Sequence, residues 1–227
     1  MRIKQIKIMK TTYFYLGALL LCFASCKKEV KIEEKTVIEA DSIPETTDTS
    51  ETTSQPIDSV AMQKAWEEYA TPTEPHKRMA CEAGTWTEDL TFWISPDDKN
   101  PQKYTATAEV KMILGGRYQE QKHKGKMMGM DFEGISTLAY NNASGEYIST
   151  WVDNMGTGVM ISTGKFDPSS KSTTFSGEMV DPMTKKSKKF RQVVTIIDND
   201  TQKMESFDTS PDGKEFKSME ILMKRKK

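Results

Sequence analysis

The stretch YTATAEVKMIL, Tyr104 to Leu114, alternates with a period of two. Tyr104, Ala106, Ala108, Val110, Met112 and Leu114 fall on one face, and Thr105, Thr107, Glu109 and Lys111 on the other. Successive side chains of an extended chain point to opposite sides, so this is a strand with one dry and one wet face. Working outward, about ten such segments follow one another, over roughly 85–94, 103–114, 116–124, 131–140, 146–153, 158–166, 173–180, 189–198, 202–208 and 215–225. The separators SPDDKNP, NNASG, DNMGTG, DPSSKS, DPMTKKS, DND and SPDGKE are turn chemistry and leave no room for a long helix. Consecutive antiparallel strands in this number must hide their edges, and closing into an up-and-down barrel does so.

Upstream of the strands the period changes. Val60, Met62, Trp66 and Tyr69 recur at helical spacing, with Asp58 or Ser59 available as cap. Thr73 can cap a second, short helix with Pro75 in its first turn and Gly84 beyond its end. Further back, residues 27–59 are rich in Thr, Ser, Glu and Asp and contain no aromatic residue. Such a segment buries too little surface to offset its ordering entropy and reads as a self-repelling tether. Within it, Asp41-Ser42-Ile43 and Asp58-Ser59-Val60 resemble the acceptor pattern for O-glycosylation in Bacteroidota.

At the very start, Arg2, Lys4, Lys7 and Lys10 precede an apolar run from Tyr13 to Ala24 that is too short for a permanent span. The run ends in LCFASC, which resembles a bacterial lipobox, with Cys26 as the thiol that takes the lipid; a plain cleaved secretion signal is the alternative. The expected organisation is a signal peptide over 1–25, a tether over 26–59 and one barrel domain over 60–227 with an N-terminal helical segment. A cysteine carrying two or more acyl chains anchors stably, so the expected address is the cell envelope, with the membrane as partner through the lipid. Removal of Cys22 and lipidation of Cys26 leave Cys81 alone, and no intramolecular disulfide is possible. The leader also removes four of 32 basic residues and leaves 28 against 33 acidic, a net charge of about −5. That balance argues against nucleic acid as a partner. The basic run Lys185 to Phe190, KKSKKF, reads as a solvated turn.

Gly84-Thr85-Trp86 opens the first strand after a short helix and resembles the G-x-W signature of lipocalin-like barrels, in which the Trp plugs the closed end. More extensively, GTWTEDLTFW, MILGGRYQEQ, GMDFEGISTLAYNNASGEYISTWVDNMGTGVM and GKEFKSMEI resemble the bacterial family catalogued as domain of unknown function 1579, over roughly residues 60–227. The resemblance implies an all-β, antiparallel up-and-down lipocalin-like (calycin-type) barrel of about ten strands, and no established activity. It also suggests that Gly84, Trp86 and Arg191 close the barrel, with Arg191 stacked on Trp86.

No nucleophile elbow, zinc-peptidase motif, paired C-x-x-C or phosphate loop is present, so no catalytic residue, metal or cofactor is expected. Haem is disfavoured, since the histidines are His76, ahead of the barrel, and His123. The polar candidates for a cavity are Arg117, Tyr118, Glu133, Trp151 and Asp153, with Arg117 or Arg191 as partner of a buried carboxylate. The apolar candidates are Met127, Met128, Met130 and Phe132, in GKMMGMDFEGIS. Three readings of that stretch remain open: a Cu(I) site with His123, adaptable contacts at a barrel mouth, and packing filler. VVTII, Val193 to Ile197, is apolar on both faces, so its outer side needs a cover. The N-terminal helix with Trp66 and Tyr69 is the expected one and a second subunit, in a homodimer, the other. The functional expectation is binding of a small, mostly apolar ligand. A barrel filled by its own side chains and acting as an interaction module is the alternative.

Overall fold

The computed structural model describes residues 58–210 and 212–227; the lipobox with Cys26, and all but the last two residues of the tether, lie outside them. Helix α1 (Ser59–Ala70) is capped by Asp58, whose carboxylate accepts from Val60 N at 2.9 Å. Helix α2 (Glu74–Cys81) begins with a capping box in which Thr73 N donates to His76 Nδ1 at 2.9 Å. Ten strands follow: β1 (Gly84–Phe92), β2 (Gln102–Ile113), β3 (Tyr118–Met127), β4 (Met130–Asn141), β5 (Glu146–Asp153), β6 (Met160–Asp167), β7 (Ser172–Val180), β8 (Ser187–Asp198), β9 (Thr201–Thr209) and β10 (Glu215–Arg225). Each pairs antiparallel with the next and β10 pairs with β1, which closes the barrel without an edge.

The alternation of β2 holds. Ala106, Ala108 and Val110 are buried inside, and Tyr104 and Met112 point the same way. Leu114 departs from it, because the strand has ended and the residue sits exposed in the turn at φ 50°. The inward side chains form three apolar clusters, around Trp86 and Met223, around Leu90 and Phe132, and around Met79, Tyr147 and Phe175. The filling is lopsided. Inward residues of β1 and β2 are mostly buried, whereas Phe190, Gln192 and Val194 of β8 and Met204 and Ser206 of β9 are only half-buried.

Helix α2 lies across one end. Gln119, fully buried on β3, donates through Nε2 to Met79 O (2.8 Å) and to the Glu82 carboxyl (3.0 Å). Trp86 Nε1 donates to Glu82 O at 2.9 Å, and Arg225 donates to Cys81 O and Ala83 O. The carbonyls that a helix C-terminus leaves unpaired are thus taken by barrel side chains.

Three expectations need correction. Helix α1 does not cover the outer face of the barrel: it has no buried residue, and Trp66 and Tyr69 are exposed and pack edge-on against each other at 5.8 Å. It is held by its C-terminal end, where Asn142 donates to the carbonyls of Glu68, Tyr69 and Thr71, and Arg117 to that of Ala70. The outer face of β8–β10 is covered instead by long charged side chains. Lys203 and Lys217 both bridge Glu205, Lys217 also reaches Glu220, and the Arg191 guanidinium lies 3.8 Å from the centroid of Phe207 while pairing with Glu215. Their aliphatic stems bury apolar surface while the charges stay wet.

Arg191 therefore faces outward and does not close the barrel. Its expected place over Trp86 is taken by Arg225, 4.3 Å from that ring. The basic run 185–190 is only half a turn: from Ser187 it is strand, and Lys188 points inward to pair with Asp208 at 2.6 Å.

Candidate functional site

At the end opposite α2 the barrel has a mouth, formed by the β1–β2, β3–β4, β5–β6, β7–β8 and β9–β10 connections. A hollow of about 400 Å³ opens there between Phe92, Trp93, Tyr104, Met127, Met128 and Met219, with Gln102, Ser206 and Ser218 as its polar groups. Two irregularities shape it. The β10 register shifts between Lys217 and Met219, which leaves Ser218 in a bulge whose carbonyl accepts from Trp93 N at 2.9 Å. The β3–β4 hairpin turns on Met128 and Gly129, with φ of 51° and 79°. Two consecutive positive φ angles make a type I′ turn, the geometry that fits strand twist.

Behind the hollow the mostly apolar lumen holds a few buried polar groups. Trp151 on β5 lies so closely over Gly134 of the neighbouring β4 that a Cβ there would lie 2.6 Å or less from the indole ring. Its Nε1 donates to Asp153 Oδ2 at 2.7 Å, and Asp153 Oδ1 accepts from Met155 N. His123 packs edge-on against Trp151 at 5.0 Å, and its Nδ1 is hydrogen-bonded to Glu88 at 3.0 and 3.2 Å. Both members of that pair are buried, and His123 Nε2 has no partner among the described residues. A carboxylate that orients an imidazole through one nitrogen is the arrangement seen behind metal-bound histidines. Yet among the described residues no group of three His, Cys, Asp or Glu side chains is placed to hold a metal ion.

The candidate residues separate by strand parity. Met127 and Met128 line the hollow, and Phe132 and Trp151 pack directly behind it with Phe92, Tyr104 and Met127. Asp153 points inward as expected, but its partner is the Trp151 indole and not an arginine. Glu133 is outward and exposed, paired to Lys124 at 3.2 Å, whereas Met130 shares the inward parity of Phe132 but sits exposed at the rim of the mouth, outside the lining of the hollow. Arg117 and Tyr118 are also outside, the first donating to Ala70 O and Leu114 O. None of these four lines the hollow.

Sequence reasoning missed Glu88 and Glu82 as interior polar groups and named His123 only as a copper ligand. Glu88 was readable, since it shares the parity of Trp86 and Leu90. Glu82 was not, because it lies beyond the end of α2, where no period applies. Burial raises the Glu82 pKa above the ordinary carboxyl value, against the hydrogen bond from Gln119 and the charges of Arg225 and Arg78.

A closed up-and-down barrel with a plugged end and an apolar mouth is a lipocalin-like barrel in architecture. The chain belongs to the family described as "Protein of unknown function (DUF1579)", whose model matches residues 71–225. Among solved structures it is similar to Rv2717c from M. tuberculosis, with 10% identity, a TM-score of 0.52, and coverage of 69% of this chain and 100% of that one. At that identity the likeness speaks to the fold alone. A redesigned β-barrel also matches, at 13% identity and a TM-score of 0.34, over 66% of this chain and 95% of its own. No curated protein matches.

Proposed function

We propose that this protein is a lipid-anchored cell-envelope barrel that takes up a small, mostly apolar ligand through the open end. The observation that carries the reading is the mouth itself: a hollow of about 400 Å³ walled by aromatic and methionine side chains, with only a few polar groups. That size and lining fit small-molecule sites, which run to roughly 300–1,000 Å³ and are mostly apolar with a few orienting polar groups. The half-buried inner faces of β8 and β9 support it, because a barrel filled by its own side chains would bury them. Cys26 would supply the anchor and residues 27–57 the reach from the membrane. The alternative, an interaction module without a ligand, draws on the three clusters that fill the rest of the lumen.

Native mass spectrometry of the chain purified from its own host, compared with its denatured mass, tests the proposal. A reproducible mass excess that disappears on denaturation is the expected result. A bare protein mass that stays bare after incubation with a panel of apolar small molecules would leave the interaction module as the better reading.

A further inference from the structure

A second hollow, of about 520 Å³, lies at the plugged end, beside α2 and against the β6–β7 and β8–β9 turns. Its walls include Phe166 and Ile196, its rim includes the exposed Cys81, and it shares no lining residue with the mouth. Three cations and three acids reach it, and they are not equally engaged. Arg225 is consumed by Asp200 and by the carbonyls of Cys81, Ala83 and Asn199. Arg78 is not: its Nη1 donates to Tyr147 Oη at 2.9 Å and its plane lies 3.8 Å over the Phe166 ring, but it makes no ion pair among the described residues. Glu82, whose carboxyl feels the Arg78 charge, is hydrogen-bonded by Gln119.

A guanidinium clamped by a phenol and a ring face is fixed in direction with donors to spare, and its natural partner is a carboxylate, which it can grip with two parallel bonds. We propose that the plugged-end hollow binds an organic monoanion, a carboxylate on an apolar body, with the carboxylate on Arg78 and the body against Phe166 and Ile196. Lys171 and Asp198, which likewise make no ion pair among the described residues, offset each other and leave one guanidinium for one negative charge. Asp198 on the rim, which makes no ion pair among the described residues, opposes a doubly charged phosphate. The site stands apart from the mouth and does not rest on the function proposed above.

The purified full chain is titrated calorimetrically with octanoate, 1-octanol and octyl phosphate, and alkylation of Cys81 by iodoacetamide is followed by peptide-resolved mass spectrometry. Octanoate is expected to bind about 10- to 100-fold more tightly than 1-octanol, the range of a charge-assisted hydrogen bond. It should also protect Cys81, and octyl phosphate should gain nothing over it. Arg78→Met should lose the preference for octanoate and keep the affinity for 1-octanol, whereas Ser218→Trp, which fills the mouth, should keep both the octanoate preference and the protection of Cys81. If Arg78→Met fails to fold, the three-ligand comparison and the Cys81 protection decide the matter in the unmodified chain. Equal binding of octanoate and 1-octanol, an unprotected Cys81, loss of octanoate binding in Ser218→Trp, or a clear preference for octyl phosphate would each overturn the proposal.

Discussion

The guanidinium of Arg225 lies 4.3 Å from the ring centroid of Trp86, and the two residues are direct register partners across the seam between β10 and β1. Gly84, two residues before Trp86, sits at φ 139°, a backbone that favours glycine, and a Cβ there would lie 2.8 Å from Arg225 Nη1. The G-x-W signature therefore describes a cradle: a glycine that admits the arginine and a tryptophan that supports it. Arg225→Ala would strand the helix-end carbonyls and expose Trp86, at a cost of about 2–4 kcal/mol. Arg191→Ala, on the wet outer face, should cost less than about 1 kcal/mol. Urea unfolding of both variants checks this, and the opposite order would restore Arg191 as the closing residue.

Gly134→Ala places a methyl group where the Trp151 ring already sits. The backbone there needs no glycine for its dihedrals, so the whole effect is steric. Overpacking of this kind costs roughly 1–3 kcal/mol. The indole must also move from Asp153 and His123, so a lower melting temperature should come with a shifted tryptophan emission. An unchanged spectrum would mean that Trp151 does not rest on Gly134.

His76 offers a pH test. Burial lowers its pKa from the ordinary imidazole value, and the Arg117 charge lowers it further, against a hydrogen bond to the Tyr140 backbone. A histidine with a depressed native pKa binds fewer protons folded than unfolded, so its contribution is complete above the unfolded value near 6.5 and is lost as pH falls below it. Protonation would in addition cost the bond that Nδ1 accepts from Thr73 N. His76→Gln keeps the capping-box reach without a titrating group. Between pH 7 and 5 the variant should lose less stability than the parent in thermal melts; parallel curves would show that His76 does not titrate in that window.

Met128 sits at φ 51°, a conformation in which Asn or Gly is at ease and a long side chain is not. Met128→Asn completes an Asn-Gly type I′ turn and should stabilise the protein by about 0.5–1 kcal/mol. If Met128 is kept for contact with an occupant of the mouth, the same variant should retain less of the host-derived mass in native spectra. A gain in both stability and retention would remove Met128 from the site.

How far the sequence revealed this molecule depended on whether period or side-chain direction carried the information. Strand number and order followed from period-two runs between turn signals, because a half-buried strand must alternate. The lumen was harder. Trp151 and Asp153 were read as sharing one face, which the uninterrupted β5 strand turns inward, but Phe132 was offered beside Glu133 and only one of two neighbours can face the lumen. Arg117 and Tyr118 flank a strand start, where parity has no reference, and Glu133 is one register step from the interior. The exchange of Arg225 for Arg191 was illegible for another reason: both lie on late strands, and only the pairing of β10 with β1 distinguishes them.

That same pairing sets the order of events when the chain folds. β1 and β10 are separated by almost the whole barrel in sequence yet share a ladder from Trp86 to Phe92. Until β10 has been made, β1 and β9 are both raw edges, and the arginine that secures α2 does not yet exist. Closure by such distant segments is slow, and the open sheet is exposed to mispairing while it waits. A nascent barrel of this kind is therefore safest if it stays unfolded until its last strand arrives.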